Sequence, residues 1–171
     1  QRARQTAEAA SRSGWLLSLD APNYQAVLTH AQSETLRREF YEAWVTRASD
    51  QGPHAGQWDN SPLMAEILAL RSEAANLVGF ANFAEFSIAT KMAHRTNEVL
   101  DFLRELARVS RPAAKREFAE VEQFAGRSLE AWDVAFYAER LKRARLDVSE
   151  EALRPYFPLP RVLAGLFTVV T

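Results

Sequence analysis

Between Thr46 and Asn60 the chain reads TRASDQGPHAGQWDN. Asp50, His54, Asp59 and Asn60 are the side chains there that could bind a metal or move a proton. Acid–base work would need shifted pKa values and a concave pocket to hold the reacting group. The same residues also have an ordinary explanation. Gly52-Pro53 and Gly56 are turn formers. Asp59, Asn60 and Ser61 stand where the first N–H groups of a helix lack acceptors. Gly-Pro-x-x-Gly is not a phosphate-cradling pattern, and no strand precedes it. Turn and cap chemistry therefore accounts for this loop, and the sequence nominates no catalytic, cofactor-binding or metal-binding residue.

The other candidates are weaker. The histidines are His30, His54 and His94, and no two lie three or four residues apart, so no helix face carries a pair of ligands. There is no H-E-x-x-H, which would set two zinc ligands on adjacent turns with a Glu between them. Glu150-Glu151 after Ser149 reads as a helix start. The run AERLKRARL, from Ala138 to Leu146, is basic, but Trp132 and Phe136 beside it fall on an apolar face and read as core, not as a base-stacking platform.

The elements expected to carry these residues are helical. Ala and Leu, both strong helix formers, are the two commonest residues. A polar helical stretch runs to about Ser11. Trp15, Leu17 and Leu19 then alternate within GWLLSLD and form the one candidate strand. Helices are expected over about Pro22–Ala31, Glu34–Ala48, Pro62–Val78 and Phe83–Ala93, then from Thr96 onward and from Ser128 or Leu129 to Leu146. Ser33 and Asn82 are expected N-caps, and Gly79-Phe80 an expected Schellman stop. Met64, Ile67, Leu68, Ala75 and Val78 make one buried stripe; Val99, Leu103, Leu106, Phe118, Val121 and Phe124 make another. Pro112 should kink or break its helix near Ser110. RPYFPLP cannot be regular helix throughout, and Pro160 opens a last helix. Together this is an all-α, irregular array of about seven to eight helices with at most one short strand near Trp15–Leu19.

Bulk properties narrow the function classes. A length of 171 residues with 47% hydrophobic content suits one globular unit. The 21 basic and 22 acidic side chains leave a net charge of −1, which gives no electrostatic case for nucleic acid or an anionic membrane. The absence of cysteine excludes disulfides, thiol catalysis and Cys-zinc sites. No apolar run is long enough to span a bilayer, and QRARQTAEAASRSG has no signal-type apolar segment. The first residue is Gln1, within a helical pattern, and the last run, RVLAGLFTVVT, has no polar stop, so a piece of a longer protein is expected.

Six blocks then occur in order: GWLLSLDAPNY, LRREFYEAWVTRASDQGPHAGQWDN, ILALRSEAANLVGFANFAEFSIATKMA, VLDFLRELA, WDVAFYAERL and LRPYFPLPRVLAGLF. This series resembles the thimet oligopeptidase family of zinc metallopeptidases, and DQGPHAGQWDN is closest to its bacterial oligopeptidase members. The resemblance runs from about Gly14 to the end. It implies a two-lobed, mostly helical, neurolysin-like fold with a deep channel for short peptides. It also implies a zinc ion held by an H-E-x-x-H helix and a more distant Glu, where zinc polarises the peptide carbonyl and activates water. In the family that motif follows the region matched here, so no residue of this chain inherits a catalytic or metal role. The expectation is a single helical portion, residues 1–171 without an internal boundary, of a cytoplasmic zinc oligopeptidase. Zinc is expected in the parent and not in this chain. The competing expectation is a self-contained, non-enzymatic helical interaction module. The last helix disfavours it, since Val162, Leu163, Leu166, Phe167, Val169 and Val170 would leave an uncovered face through which the chain would self-associate.

Overall fold

A computed structural model describes residues 2–147 and 153–170. Its described residues form α1 (Arg2–Ala9), α2 (Ala21–His30), α3 (Glu34–Val45), α4 (Ser61–Leu77), α5 (Phe83–Ile88), α6 (Thr96–Ala125) and α7 (Val134–Leu146), then a 3-10 turn (Arg154–Tyr156) and α8 (Leu159–Val170). The all-helical expectation holds. The candidate strand near Trp15–Leu19 is irregular chain: Leu16 N–H donates to the Ala3 carbonyl of α1 at 2.9 Å, and no ladder forms among the described residues. An alternating pattern with no second strand to pair has nothing to stabilise it as sheet. The Glu150-Glu151 helix start lies outside the described residues.

Local chemistry sets most helix ends. Asp20 caps α2, accepting from Asn23 N–H at 2.9 Å, with Pro22 in the first turn. Ser33 caps α3 through Leu36 N–H at 3.2 Å. Gly79, at φ +84°, closes α4 as the sequence indicates. Its N–H donates to Asn76 O at 3.1 Å and Phe80 N–H reaches back to Ala75 O at 2.9 Å. These are the paired bonds of a Schellman motif. Asn82 caps α5 through Glu85 N–H at 3.0 Å.

Three expectations need correction. α5 stops at Ile88 instead of Ala93, because the chain turns there and Lys91 N–H donates to Ile88 O at 2.8 Å. α7 begins at Val134 instead of Ser128 or Leu129. Glu122 reaches across from α6 and accepts from Ser128 Oγ at 3.1 Å and Leu129 N–H at 3.2 Å, holding both residues in the connection. Finally, of the kink or break expected near Ser110, the break does not occur: α6 continues through Pro112 from Thr96 to Ala125. At the ordinary helical rise that is a rod about 45 Å long. Pro112 removes one N–H, but it lies on the exposed surface, where water can satisfy the freed Arg108 carbonyl.

Packing gathers at the two ends of α6. At its C-terminal end, α7 packs on α6 and on α2, and α2 packs on α3. Val27, Leu28, Val121 and Phe136 are buried there, and Tyr24 stacks on Trp44 with centroids 4.5 Å apart. At the N-terminal end, α5 bridges α4 and α6, with Phe86 against Phe80 and Phe83. The stripes expected to be buried are largely exposed. On α4 only Ala75 is buried, while Met64, Ile67 and Leu68 face outward. On α6 only Val121 is buried. Among the described residues, α8 packs against no other helix.

Candidate functional site

The loop from Thr46 to Asn60 closes on itself. Gly56 N–H donates to Ser49 O at 3.1 Å and Asn60 N–H to Ala48 O at 3.0 Å. Asp59 turns toward α4, accepting from Ser61 N–H at 2.9 Å and Ser61 Oγ at 2.7 Å. These two donors hold the Asp59 carboxyl below its usual range. That moves it away from the near-neutral pKa useful to a general base. His54 lies against the exposed Trp58, ring centroids 5.6 Å apart, and Asp50 is exposed. The contacts of this loop are those of turns and a helix start, and they bring no acid and base together.

Gly52 is the residue on which this loop depends. Its φ is +79°, and a Cβ there would overlap Thr46 Oγ1 and stand 2.6 Å from Thr46 Cβ. Thr46 is fixed in turn, since its hydroxyl donates to Glu42 O at 2.6 Å. Gly56 has φ +72° but open space around it. Gly52→Ala is expected to cost about 2 kcal/mol, from left-handed strain plus the clash. Gly56→Ala should cost about 1 kcal/mol, from strain alone. Urea denaturation of the two variants checks this, and equal costs would refute the clash.

The three histidines stay apart. His30 ends α2 and lines a cleft of about 510 Å³ between α2 and α7, with Pro22, Gln25, Thr29 and Glu139. His94 lines a separate cleft of about 480 Å³ between α5 and α6, where its backbone N–H donates to Glu98 at 3.0 Å. In the first cleft burial pushes the Glu139 carboxyl up, but the Arg143 hydrogen bond and Lys142 outweigh it and hold the group below its usual range. That removes it from acid catalysis near neutral pH. Among the described residues, no group of three His, Asp or Glu side chains is placed to hold a metal ion.

The basic run on α7 is used internally. Arg140 donates to Gln32 Oε1 at 2.7 Å, Arg143 pairs with Glu139 at 3.0 Å, and Arg145 pairs with Glu120 at 2.7 Å. Phe136 is core, as its place on the apolar face indicates.

Nothing in the sequence marks the most buried polar group. Arg37 on α3 is 2% exposed and Asp133, just before α7, is 0% exposed. Arg37 Nη2 donates to Asp133 Oδ1 at 2.5 Å, and its Nη1 donates to Ala31 O at 2.7 Å. Arg127 donates to the other Asp133 oxygen at 2.7 Å and to Glu34 at 3.0 Å. Two guanidiniums thus meet two carboxylates with no net charge left over. The set joins α3 to the α6–α7 connection, and its charges are spent on holding that joint.

The contacts described are those of turns, caps and a buried ion pair, and comparison with known proteins gives the family. Residues 27–171 match peptidase family M3. The chain belongs to peptidase family M3. Among its relatives, the oligopeptidase A of Salmonella typhimurium is 50% identical over 98% of this chain and 25% of its own length. The oligopeptidase A of Escherichia coli is 49% identical over the same shares. The dipeptidyl carboxypeptidase of Escherichia coli is 33% identical over 94% of this chain and 24% of its own. The resemblance read from the ordered blocks is thus borne out, and the chain spans about a quarter of the length of these curated relatives. No helix among the described residues is long and apolar enough to cross a membrane.

Proposed function

We propose that this chain is a helical portion of a longer, cytoplasmic, zinc-dependent oligopeptidase that hydrolyses short peptides, and that by itself it holds no catalytic zinc and turns no peptide over. The observation that carries the reading is the match to relatives named oligopeptidase A across 98% of this chain but only a quarter of theirs. The donor set agrees with it. Zinc sites take three or four His, Cys, Asp or Glu ligands. The described residues place no such group together, so they do not fit the ion. In this reading the chain's own residues give form: α2, α3 and α7 are locked by Arg37 and Asp133, and α5 joins α4 to α6. The lack of cysteine agrees with a reducing compartment. A self-contained interaction module is the weaker reading, since such a module closes its own core, and here Leu68, Leu103 and Leu106 lie outside any core.

The reading frame beyond Thr171 is expected to encode H-E-x-x-H. The complete product should cleave short unstructured peptides, lose that activity to a chelator, and regain it with zinc. The 171-residue chain with added zinc should cleave none. Turnover by the short chain, or a zinc-loaded complete product inert toward every short peptide, overturns the proposal.

A further inference from the structure

α6 is held at its two ends and left bare between them. At its start, Ala84, Ser87 and Ile88 of α5 face Thr96, Val99 and Leu100 across a cavity of about 270 Å³. Toward its end α7 packs on it, and Val121 is buried there. From Leu106 to Glu117 every residue is exposed except the half-buried Ala113. Among the described residues, α4 and α5 make no contact with α2, α3 or α7. Two packed bodies are thus joined by one rod and by the loop from Thr46 to Asn60, across which α3 and α4 do not pack.

The bare stretch is also where the rod is weakest. Pro112 has no N–H for the Arg108 carbonyl, and its ring presses on that carbonyl. Close by, Ser110 Oγ donates to the Leu106 carbonyl at 2.7 Å, a back-bond of the kind that bends helices. Sharp helix kinks arise mostly at prolines and where a side chain enters the backbone ladder. The helical repeat sets the direction. Val121 follows Val99 by 22 positions, about six whole turns, so α5 and α7 sit on the same side of the rod. Pro112 follows Val99 by 13 positions, about three and a half turns, so it lies on the opposite side. Crowding by the ring lengthens its own side, and the rod bends toward α5 and α7.

We infer that α6 is a proline hinge about which the α4–α5 body closes toward the α2–α3–α7 body. A bend of about 20° on the arm of about 24 Å from Pro112 to Thr96 carries α5 through about 8 Å. Hinge motions of this kind run on the microsecond to millisecond scale. The hinge belongs to α6 itself and is independent of the peptidase reading.

The test uses the complete reading-frame product, with spin labels introduced at the exposed Glu73 on α4 and Ala144 on α7. Pulsed dipolar spectroscopy should show two distances at least about 5 Å apart. Pro112→Ala should leave only the longer one. Pro112→Ala also restores a backbone bond to Arg108, so the amides from Val109 to Ala113 should exchange about tenfold more slowly while that of Val121 is unchanged. The same distance distribution in both proteins overturns the hinge. So does loss of the longer distance in place of the shorter. Slowing spread evenly along α6 overturns it too, because the substitution would then have stabilised the whole helix.

Discussion

Asp133→Asn is expected to lower the unfolding free energy by about 3 kcal/mol or more, the cost of stripping one partner from a buried ion pair. The amide fills the same space, so no cavity contributes. Its oxygen can still accept from Arg37, but the other end then offers an N–H to Arg127, donor against donor, where a carboxylate oxygen now accepts at 2.7 Å. Arg37 is 2% exposed, so water cannot replace the lost charge. The measurement is the urea midpoint, which should fall with an unchanged slope. The double change Arg37→Met with Asp133→Leu should recover most of the loss, because it removes both desolvation penalties together. A cost under about 1 kcal/mol for Asp133→Asn would mean that water reaches the pair and that its charges are not desolvated.

Phe136→Ala should cost about 3–5 kcal/mol, the range for a buried ring truncated in a core. Phe136 is 5% exposed, and the guanidiniums of Arg37 and Arg140 each lie 4.1 Å from its ring centroid. Truncation opens a cavity beside a buried cation and removes both ring contacts. Phe136→Leu keeps most of the volume and loses only the π face. It should cost about 1–2 kcal/mol, the scale of a desolvated cation–π contact. If Phe136→Leu unfolds at the native urea midpoint, the stacked cations add nothing beyond filling space.

The features legible in the sequence are those settled within a few residues. Ser33, Asn82 and the Gly79-Phe80 stop act on neighbours three to five positions away, and each stands where the sequence indicates. Burial is not legible, because periodicity identifies an apolar face but not what covers it. Met64, Ile67 and Leu68 have the spacing of a core stripe and still face outward. The start of α7 is hidden because Glu122, in the preceding helix, competes for Ser128 and Leu129. Part of the penalty that predicts a break at Pro112 is a carbonyl left without a partner, and on the exposed face of α6 water can take that carbonyl, which leaves only the ring's clash with the preceding turn. At the loop, the turn formers and the Ser61-Asp59 bonds are legible because they are local. The Arg37–Asp133 pair is not, since its members are 96 positions apart and each alone reads as an ordinary surface charge.

That separation also sets an order on the ribosome. α2 and α3 emerge early, but Asp133 and Phe136, which close over Arg37, follow almost a hundred residues later. At ordinary synthesis rates, the α2–α3 pair waits roughly 5–20 s before its lid is made. Val27, Leu28 and an unpaired Arg37 guanidinium stay open to water and to other nascent chains for that interval. The loop that must then close is long, and long-range closure slows folding. The α2–α3 surface is therefore open during synthesis, and α7 closes it.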